Sequence, residues 1–259
     1  MVVTGKGNAL DCDAPIARIS GMRFRREAGG EDFGVWITGS AVEIDDCIME
    51  SLSSSCIAIF GPASRPVLRG CALRQAASAG VFVSDGAQPL LEDCEISGNA
   101  SVGVVVLGTA TRTTLRRCVS LDNRIGGYSF AEGAEGVMEE CEAIGNGASG
   151  VMISSRADLT VQECILRDNE QAGAAVYDDG RGRLQDCRVT GNGHEGLYVR
   201  AGGEVEVTEC TISGNAHSAV SIMDATSTGI FRGNDLRGNA HGAWEIAEGA
   251  TVTKADNKE

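Results

Sequence analysis

The sequence is short of positive charge, has no long apolar run and shows no helical period. Its 22 Lys and Arg residues stand against 36 Asp and Glu residues, so the net charge is −14 and the pI about 4.7. A nucleic-acid groove needs a basic stripe, and an anionic membrane surface attracts basic residues, so neither partner is expected. No 18-residue apolar run exists, so no transmembrane helix is predicted. Apolar residues do not recur with the period that indicates amphipathic helices.

Cysteine, by contrast, recurs at an almost constant interval. Eight cysteines are separated by 24, 23, 24, 23, 23, 23 and 23 residues, namely Cys47, Cys71, Cys94, Cys118, Cys141, Cys164, Cys187 and Cys210. Asn234 follows the last of them by 24 residues, where the next cysteine would stand. A fixed period of roughly 20–50 residues is typical of stacked repeat proteins.

Each repeat contains three short runs in which apolar residues alternate with other residues. The clearest copies are CEISGNASVGVVV from Cys94, CRVTGNGHEGLYV from Cys187 and CTISGNAHSAVSI from Cys210. Alternation with period two indicates strands, and the Gly-Asn and Asp-Gly pairs between the runs indicate turns. The pattern predicts an all-β fold, a single-stranded right-handed parallel β-helix with about ten rungs of 23–24 residues.

The predicted β-helix forms one domain over residues 1–259, with rungs readable over 16–253. The chain starts directly with coil, which predicts that it is part of a longer protein or lacks an N-terminal cap. A leucine-rich repeat is the alternative fold. It would need a dense leucine consensus and a helical segment in each repeat, and the glycine-rich turns do not favour that.

The cysteine column is expected to point inward as free thiols. Successive rungs lie about 4.8 Å apart, whereas a disulfide needs Cβ atoms about 3.8 Å apart. Cys12 and Cys56 lie outside the column and have no partner at the CxxC spacing of a metal site, so no cofactor is expected. Free thiols favour a reducing compartment, and the N-terminus lacks a signal-peptide layout, so the sequence predicts a cytoplasmic protein.

A second inward column consists of asparagines five residues after each marker. Its members are Asn99, Asn123, Asn146, Asn169, Asn192, Asn215 and Asn239. Stacked Asn side chains can hydrogen-bond to one another along such a ladder, so the column is interpreted as structural. Asn99 also begins a formal glycosylation sequon, but an inward side chain would be a poor acceptor.

The outward positions eleven and thirteen residues after each cysteine are unusually apolar. They include Trp36, Phe60, Phe82, Val105, Leu107, Met152, Tyr177 and Tyr198, together with Ala58, Arg200 and Met223. The outward positions before each cysteine are charged instead, as in Asp45, Arg69, Glu92, Arg116 and Glu139. An elongated exposed apolar stripe is a common mark of a binding surface. We therefore expect a protein or glycan partner on this face, with end-to-end or side-by-side self-association as a further expectation.

Two alternatives would remove that binding surface. A long loop such as Arg25–Phe33 could fold over the stripe, or the assignment of inward and outward positions could be shifted by one residue.

Two groups of polar residues are candidates for catalysis or metal binding. Acids flank the stripe at Asp85, Glu132, Asp178, Asp179, Asp224 and Glu248. Such carboxylates could bind calcium or act as acid and base, but turns also favour Asp. All three histidines share one column, His194, His217 and His241. They could bind a metal or respond to pH, or they reflect a turn preference.

The repeated unit C-x-I-x-G-N-x-x-x-G-V-x-V resembles the right-handed β-helix repeats of the pectate-lyase-like superfamily. It is similar to the repeats of its carbohydrate-binding and sugar-hydrolase members, and to the substrate-recognition region of a β-helix F-box protein. The resemblance implies that catalytic members use calcium-binding acids with an Arg or Lys base, or an Asp-Pro-His motif in the epimerases. No Asp-Pro-His occurs here, since proline is found only at positions 15, 62, 66 and 89.

No catalytic residue therefore carries over from the resemblance. The sequence predicts a non-catalytic binding scaffold that uses the aromatic face. The alternative is a uronate lyase or epimerase in which Asp178, Asp179 and Arg200 are the candidate catalytic residues. A third hypothesis is a pure assembly or spacer element.

Overall fold

The protein folds as a coil of short parallel strands. The structure is a computed structural model that describes residues 7–259 and the backbone of Val2–Val3. Within that part of the chain there are 32 strands and no helix, and the strands form three parallel sheets of 10, 11 and 11 strands. The predicted single-stranded right-handed β-helix is confirmed, and the leucine-rich alternative is wrong. No segment of the described chain forms a helix long and apolar enough to cross a membrane.

Each turn of the coil contributes one strand to each sheet. Sheet A contains β1 (Val2–Val3), β4 (Arg23–Arg26), β7 (Ile48–Ser51), β10 (Ala72–Arg74), β13 (Glu95–Ser97), β16 (Val119–Leu121), β19 (Glu142–Ile144), β22 (Ile165–Arg167), β25 (Arg188–Thr190) and β28 (Thr211–Ser213). Sheet B contains β2 (Leu10–Cys12), β5 (Val35–Thr38), β8 (Ile57–Phe60), β11 (Val81–Ser84), β14 (Val104–Leu107), β17 (Tyr128–Ala131), β20 (Val151–Ile153), β23 (Ala174–Val176), β26 (Leu197–Val199), β29 (Val220–Ile222) and β31 (Trp244–Ile246). Sheet C contains β3 (Arg18–Ser20), β6 (Glu43–Asp45), β9 (Val67–Arg69), β12 (Leu90–Glu92), β15 (Arg112–Arg116), β18 (Glu135–Glu139), β21 (Asp158–Gln162), β24 (Arg181–Gln185), β27 (Glu204–Thr208), β30 (Thr228–Arg232) and β32 (Thr251–Ala255).

The cysteine column runs through the core as predicted. All ten cysteines are buried and free. The Cys71 thiol donates to the carbonyl oxygen of Ile44 in the preceding rung at 3.3 Å, and most of the column repeats this contact. Burial raises the pKa of the Cys56 thiol well above its usual range. Asn234 continues the column, because its Oδ1 accepts the backbone N–H of Cys210 at 2.9 Å. The thiols therefore serve as packing groups.

The asparagine ladder is confirmed along its whole length. Each side-chain amide donates to the Oδ1 of the next asparagine at 2.8–3.0 Å, from Asn99 to Asn239. The ladder also explains why a small residue, most often glycine, stands nine positions after the cysteines of the column, as Gly150 does after Cys141. A Cβ on Gly150 would lie 2.8 Å from both Asn169 Nδ2 and the Gly173 carbonyl oxygen. Asn99 is 1% exposed, so its sequon is not accessible.

The outward positions before the cysteines are charged, as predicted, and on the outer face of sheet C opposite charges also pair between rungs. Arg69 Nε lies 3.1 Å from Glu92 Oε2, and Arg116 Nε lies 2.7 Å from Glu139 Oε2. Arg116 also approaches Glu92, with Nη1 3.8 Å from Oε1. Charges on neighbouring rungs of this face therefore partner one another, since equivalent residues stack about one strand spacing apart.

Candidate binding face and cleft

The predicted apolar positions lie on the outer face of sheet B. Parallel pairing aligns Phe82 with Ala58 on one side and with Val105 on the other. Val81 and Val83, on either side of Phe82, are fully buried in the core. The eight candidate binding residues are instead half-buried, namely Trp36, Phe60, Phe82, Val105, Leu107, Met152, Tyr177 and Tyr198. The assignment of inward and outward positions is correct, and the binding role of these residues stays a prediction.

Aromatic rings contact one another at the N-terminal end of this face. The Trp36 and Phe60 rings stack with centroids 4.4 Å apart, and Phe60 lies 5.6 Å from Phe82. Phe33, at the end of the loop that connects β4 to β5, packs 5.2 Å from Trp36. The loop cover considered as an alternative is therefore present at this end, where the Phe33 ring packs on Trp36 and Phe60. Phe60 and Phe82 nevertheless keep part of their surface exposed.

A cleft of about 550 Å³ opens further along the same face. It is lined by Ser149, Met152, Gln171, Ala172, Ala175, Tyr177, His194, Glu195, Tyr198, Arg200 and Met223. Ala175 stands between Met152 and Tyr198 in the outward column of sheet B. The cleft forms there because the short side chain of Ala175 leaves a depression between two large neighbours.

The cleft combines aromatic surface with polar groups. Tyr177 and Tyr198 expose part of their rings to it. The guanidinium carbon of Arg200 lies 5.2 Å from the centroid of the Tyr177 ring, within the range of a cation–π contact. Gln171 and Glu195 add hydrogen-bonding groups at the opposite rim. A ligand with one apolar face and a polar edge would match this surface.

The two candidate catalytic aspartates do not line the cleft. Asp178 and Asp179 lie exposed in the turn that follows β23, with φ values of 52° and 60°. Asp85 and Glu132 have the same left-handed backbone at comparable turns. Asp tolerates this conformation better than most residues, so the turn geometry accounts for these acids. Of the three candidate catalytic residues, only Arg200 faces the cleft.

The three histidines stack on successive turns between sheets A and B, as their shared column predicts. The His194 and His217 rings lie 4.9 Å apart and nearly parallel, at 9°, and His241 lies 4.9 Å beyond His217. Glu195 Oε1 is 3.7 Å from His217 Nδ1. His194 and Glu195 also line the cleft.

Sequence reasoning missed several of the cleft residues. It placed Ser149, Gln171, Ala172, Ala175 and Glu195 in no binding site, because all but Ala175 lie in the turns before the sheet B strands rather than at the outward strand positions. Ala175 is a small side chain between Met152 and Tyr198 in the outward column. Ala58 stands in the same way between Trp36 and Phe82 but is fully buried, so this pattern alone does not predict a cleft.

Comparison with known proteins identifies the repeat. The family model for the right-handed beta helix region matches residues 16–137 and 122–258. A search of curated protein sequences found no significant match.

Solved structures share the fold at low sequence identity. The A-module of the mannuronan C-5 epimerase AlgE6 from Azotobacter vinelandii is 14% identical, with a TM-score of 0.63 over 94% of this chain and 91% of that one. Pectate lyase Pel9A is 14% identical, with a TM-score of 0.62 over 96% and 70%. A chain of the Vag8–C1 inhibitor complex is 14% identical, with a TM-score of 0.68 over 99% and 77%. At this identity the likeness shows the fold alone.

Proposed function

We propose that this chain, which belongs to the family of right-handed beta helix proteins, is a non-catalytic module that binds a neutral polysaccharide along the outer face of sheet B. One observation carries the proposal. The outer face of sheet B is apolar and aromatic and contains a cleft of about 550 Å³, whereas one outward column of sheet C carries charges that pair from rung to rung.

The chemistry of the cleft suits sugar rings. A sugar ring presents C–H groups on its faces and hydroxyl groups around its edge, so it can lie against an aromatic plane and hydrogen-bond at its rim. Tyr177 and Tyr198 supply planes that are held on strands or strand ends, and Arg200 and Gln171 supply donors beside them. Ligand pockets of roughly 300–1,000 Å³ are typical for small ligands, and the open cleft lies within that range.

The charge of the protein favours a neutral ligand over a uronate. The chain carries a net charge of −14, and Arg200 is the one Lys or Arg side chain among the cleft-lining residues. Glu195 in the same cleft opposes an anion. A polyanionic chain would therefore be repelled over most of its path.

The solved structures support a carbohydrate ligand at the level of the fold. Two of them are named as a mannuronan epimerase and a pectate lyase. Their fold is the one found here, and the same fold can support unrelated functions. The specific proposal therefore depends on the residues of the cleft.

A uronate lyase or epimerase is the second candidate, and Arg200 is the observation that favours it. Arg200 lies in the cleft and could act as a base or bind a carboxylate. Incubation with alginate or pectate in the presence of calcium would test it. An unsaturated product or a change in epimer content, lost in Arg200→Ala, would favour the enzyme over the binding module.

Ala175→Phe provides the test of the binding proposal. The new ring would fill the depression between Met152 and Tyr198 without entering the core, because position 175 points outward. We expect affinity electrophoresis in gels with galactomannan or hydroxyethyl cellulose to retard the native protein. Ala175→Phe should weaken that binding at least about tenfold, or about 1.4 kcal/mol.

The matched control is Arg116→Ala on the outer face of sheet C, which should bind as the native protein does. Equal retardation of Ala175→Phe and the native protein would contradict the proposal, as would a failure of every neutral polysaccharide to retard the native protein.

A further inference from the structure

We propose that His194, Glu195 and His217 form a binding site for a divalent transition-metal ion, for which Zn²⁺ is the best fit. One potential ligand atom from each of the three side chains lies within 4.8 Å of the others, the one such group of His, Cys, Asp and Glu that we found in the described part of the chain. This inference is independent of the polysaccharide proposal, because it concerns the ion alone.

The coil fixes the two imidazoles side by side. The backbone N–H of His194 donates to the Gln171 carbonyl at 3.2 Å, and that of His217 donates to the His194 carbonyl at 3.1 Å. The two residues therefore occupy equivalent positions on adjacent turns. Their rings stack with centroids 4.9 Å apart at 9°. The backbone thus places the two imidazole side chains next to each other at one edge of the cleft.

Glu195 supplies a carboxylate that lacks hydrogen-bond donors. Its side chain is 12% exposed, and within residues 7–259 it accepts no hydrogen bond. The nearest basic atom is His217 Nδ1 at 3.7 Å. The carboxylate reaches the cleft, so an ion can approach it from there. A metal ion bound between Glu195 and the imidazoles would give the carboxylate a positively charged partner.

The ligand set selects the class of metal. Two imidazoles and one carboxylate suit zinc, whereas calcium and magnesium prefer oxygen ligands alone. Zn–N and Zn–O bonds of about 2.0–2.1 Å place tetrahedral ligand atoms roughly 3.3 Å apart. Since the three ligand atoms lie within 4.8 Å of one another, no pair would need to close by more than roughly 1.5 Å to reach that spacing. His194 is exposed, so rotation of its side chain can supply the movement.

The site would have an open coordination position. Three protein ligands leave the fourth position of a tetrahedral ion for water or another ligand, and His194 and Glu195 both line the cleft. The buried thiols of the core cannot supply the fourth ligand, since Cys187 and Cys210 are 2% and 1% exposed.

Titration of the purified, metal-free protein with Co²⁺ tests the proposal without any polysaccharide. Cobalt reports its ligands by visible absorption, because thiolate ligation adds a charge-transfer band that nitrogen and oxygen ligation lacks. We expect one Co²⁺ per chain with d–d absorption and no thiolate band, and displacement of the cobalt by Zn²⁺. His217→Gln and Glu195→Gln should each weaken binding by more than about 100-fold, above the loss seen when outer-shell partners are removed.

His241→Gln is the matched control, because His241 stacks on His217 but lies outside the three-residue group. It should bind Co²⁺ as the native protein does. Thermal unfolding of each variant establishes that it is folded. The proposal would be overturned by no binding at micromolar Co²⁺, by a thiolate band, or by full binding in folded Glu195→Gln. Binding of cobalt without binding of any polysaccharide would contradict the proposed function but not the proposed metal site.

Discussion

The outer faces of sheets B and C follow the same coil but differ in their charged and aromatic side chains. On sheet C, Arg69 and Arg116 alternate with acids and pair with them from rung to rung. On sheet B, Phe82 and Tyr198 occupy outward positions and remain half-exposed. The buried residues fix which positions of both faces point outward. They do not fix the type of side chain at those outward positions. The chemistry of sheet B is therefore not a requirement of the fold, and that is why the function is assigned to it.

Asn146→Ala should lower the stability most, because Asn146 is a fully buried member of the ladder that runs through the turns between sheets A and B. Asn146 donates to Asn169 Oδ1 at 2.9 Å and to the Ser120 carbonyl at 3.2 Å, and its own Oδ1 accepts from Asn123. Losing these buried bonds should reduce the free energy of unfolding by about 2–4 kcal/mol. Chemical denaturation measures the change, and ligand binding should persist while the protein is folded.

Asn257→Ala is the control for this effect. Asn257 is half-buried in the last turn and accepts from Asn234, so its loss should be clearly smaller. Asn257 continues the cysteine column through Asn234 and lies outside the Asn99–Asn239 ladder, so equal losses at the two positions would show that the buried ladder contributes no more than a half-buried asparagine pair.

Asp93→Asn should lower the stability of the folded protein least, and the loss should depend on pH. Asp93 lies at the edge of sheet C, where a hydrogen bond from Arg117 lowers the pKa of its carboxyl. A lowered folded-state pKa stabilises the protein above the unfolded value of about 3.9 and loses that effect as the pH falls through the folded value. Both side chains are about half-exposed, so the contribution is small.

Melting temperatures of Asp93→Asn and the native protein between pH 6 and pH 3 would measure the effect. The native protein should melt slightly higher at pH 6, and the gap should narrow as the pH falls below about 4. A gap that widens on acidification would mean that the Arg117 pair does not stabilise the folded state.

The sequence alone was sufficient to predict the coil and its columns. A period of 23–24 residues brings Cys94 beside Cys118, and Asn99 beside Asn123, whatever the turns do in detail. The same register placed Phe82 and the other apolar residues on one outer face. These features could be predicted because each depends only on position within the repeat.

The cleft depends on differences between repeats and was not predicted. It exists because Ala175 is small while Met152 and Tyr198, one rung away on each side, are large. Likewise, the packing of Phe33 on Trp36 depends on the path of a loop that has no equivalent in other rungs. The isolation of Glu195 from donors depends on which side chains surround it. Periodicity contains no information on any of these features.

The double variant Phe82→Ala plus Tyr198→Ala tests whether the outer face of sheet B binds a ligand and is dispensable for folding. Its binding to a neutral polysaccharide that retards the native protein should be measured together with its melting temperature, beside Arg69→Ala plus Arg116→Ala on sheet C. We expect the sheet B pair to lose binding and stay folded, and the sheet C pair to keep binding. Unfolding of the sheet B pair, or unchanged binding by it, would contradict the account.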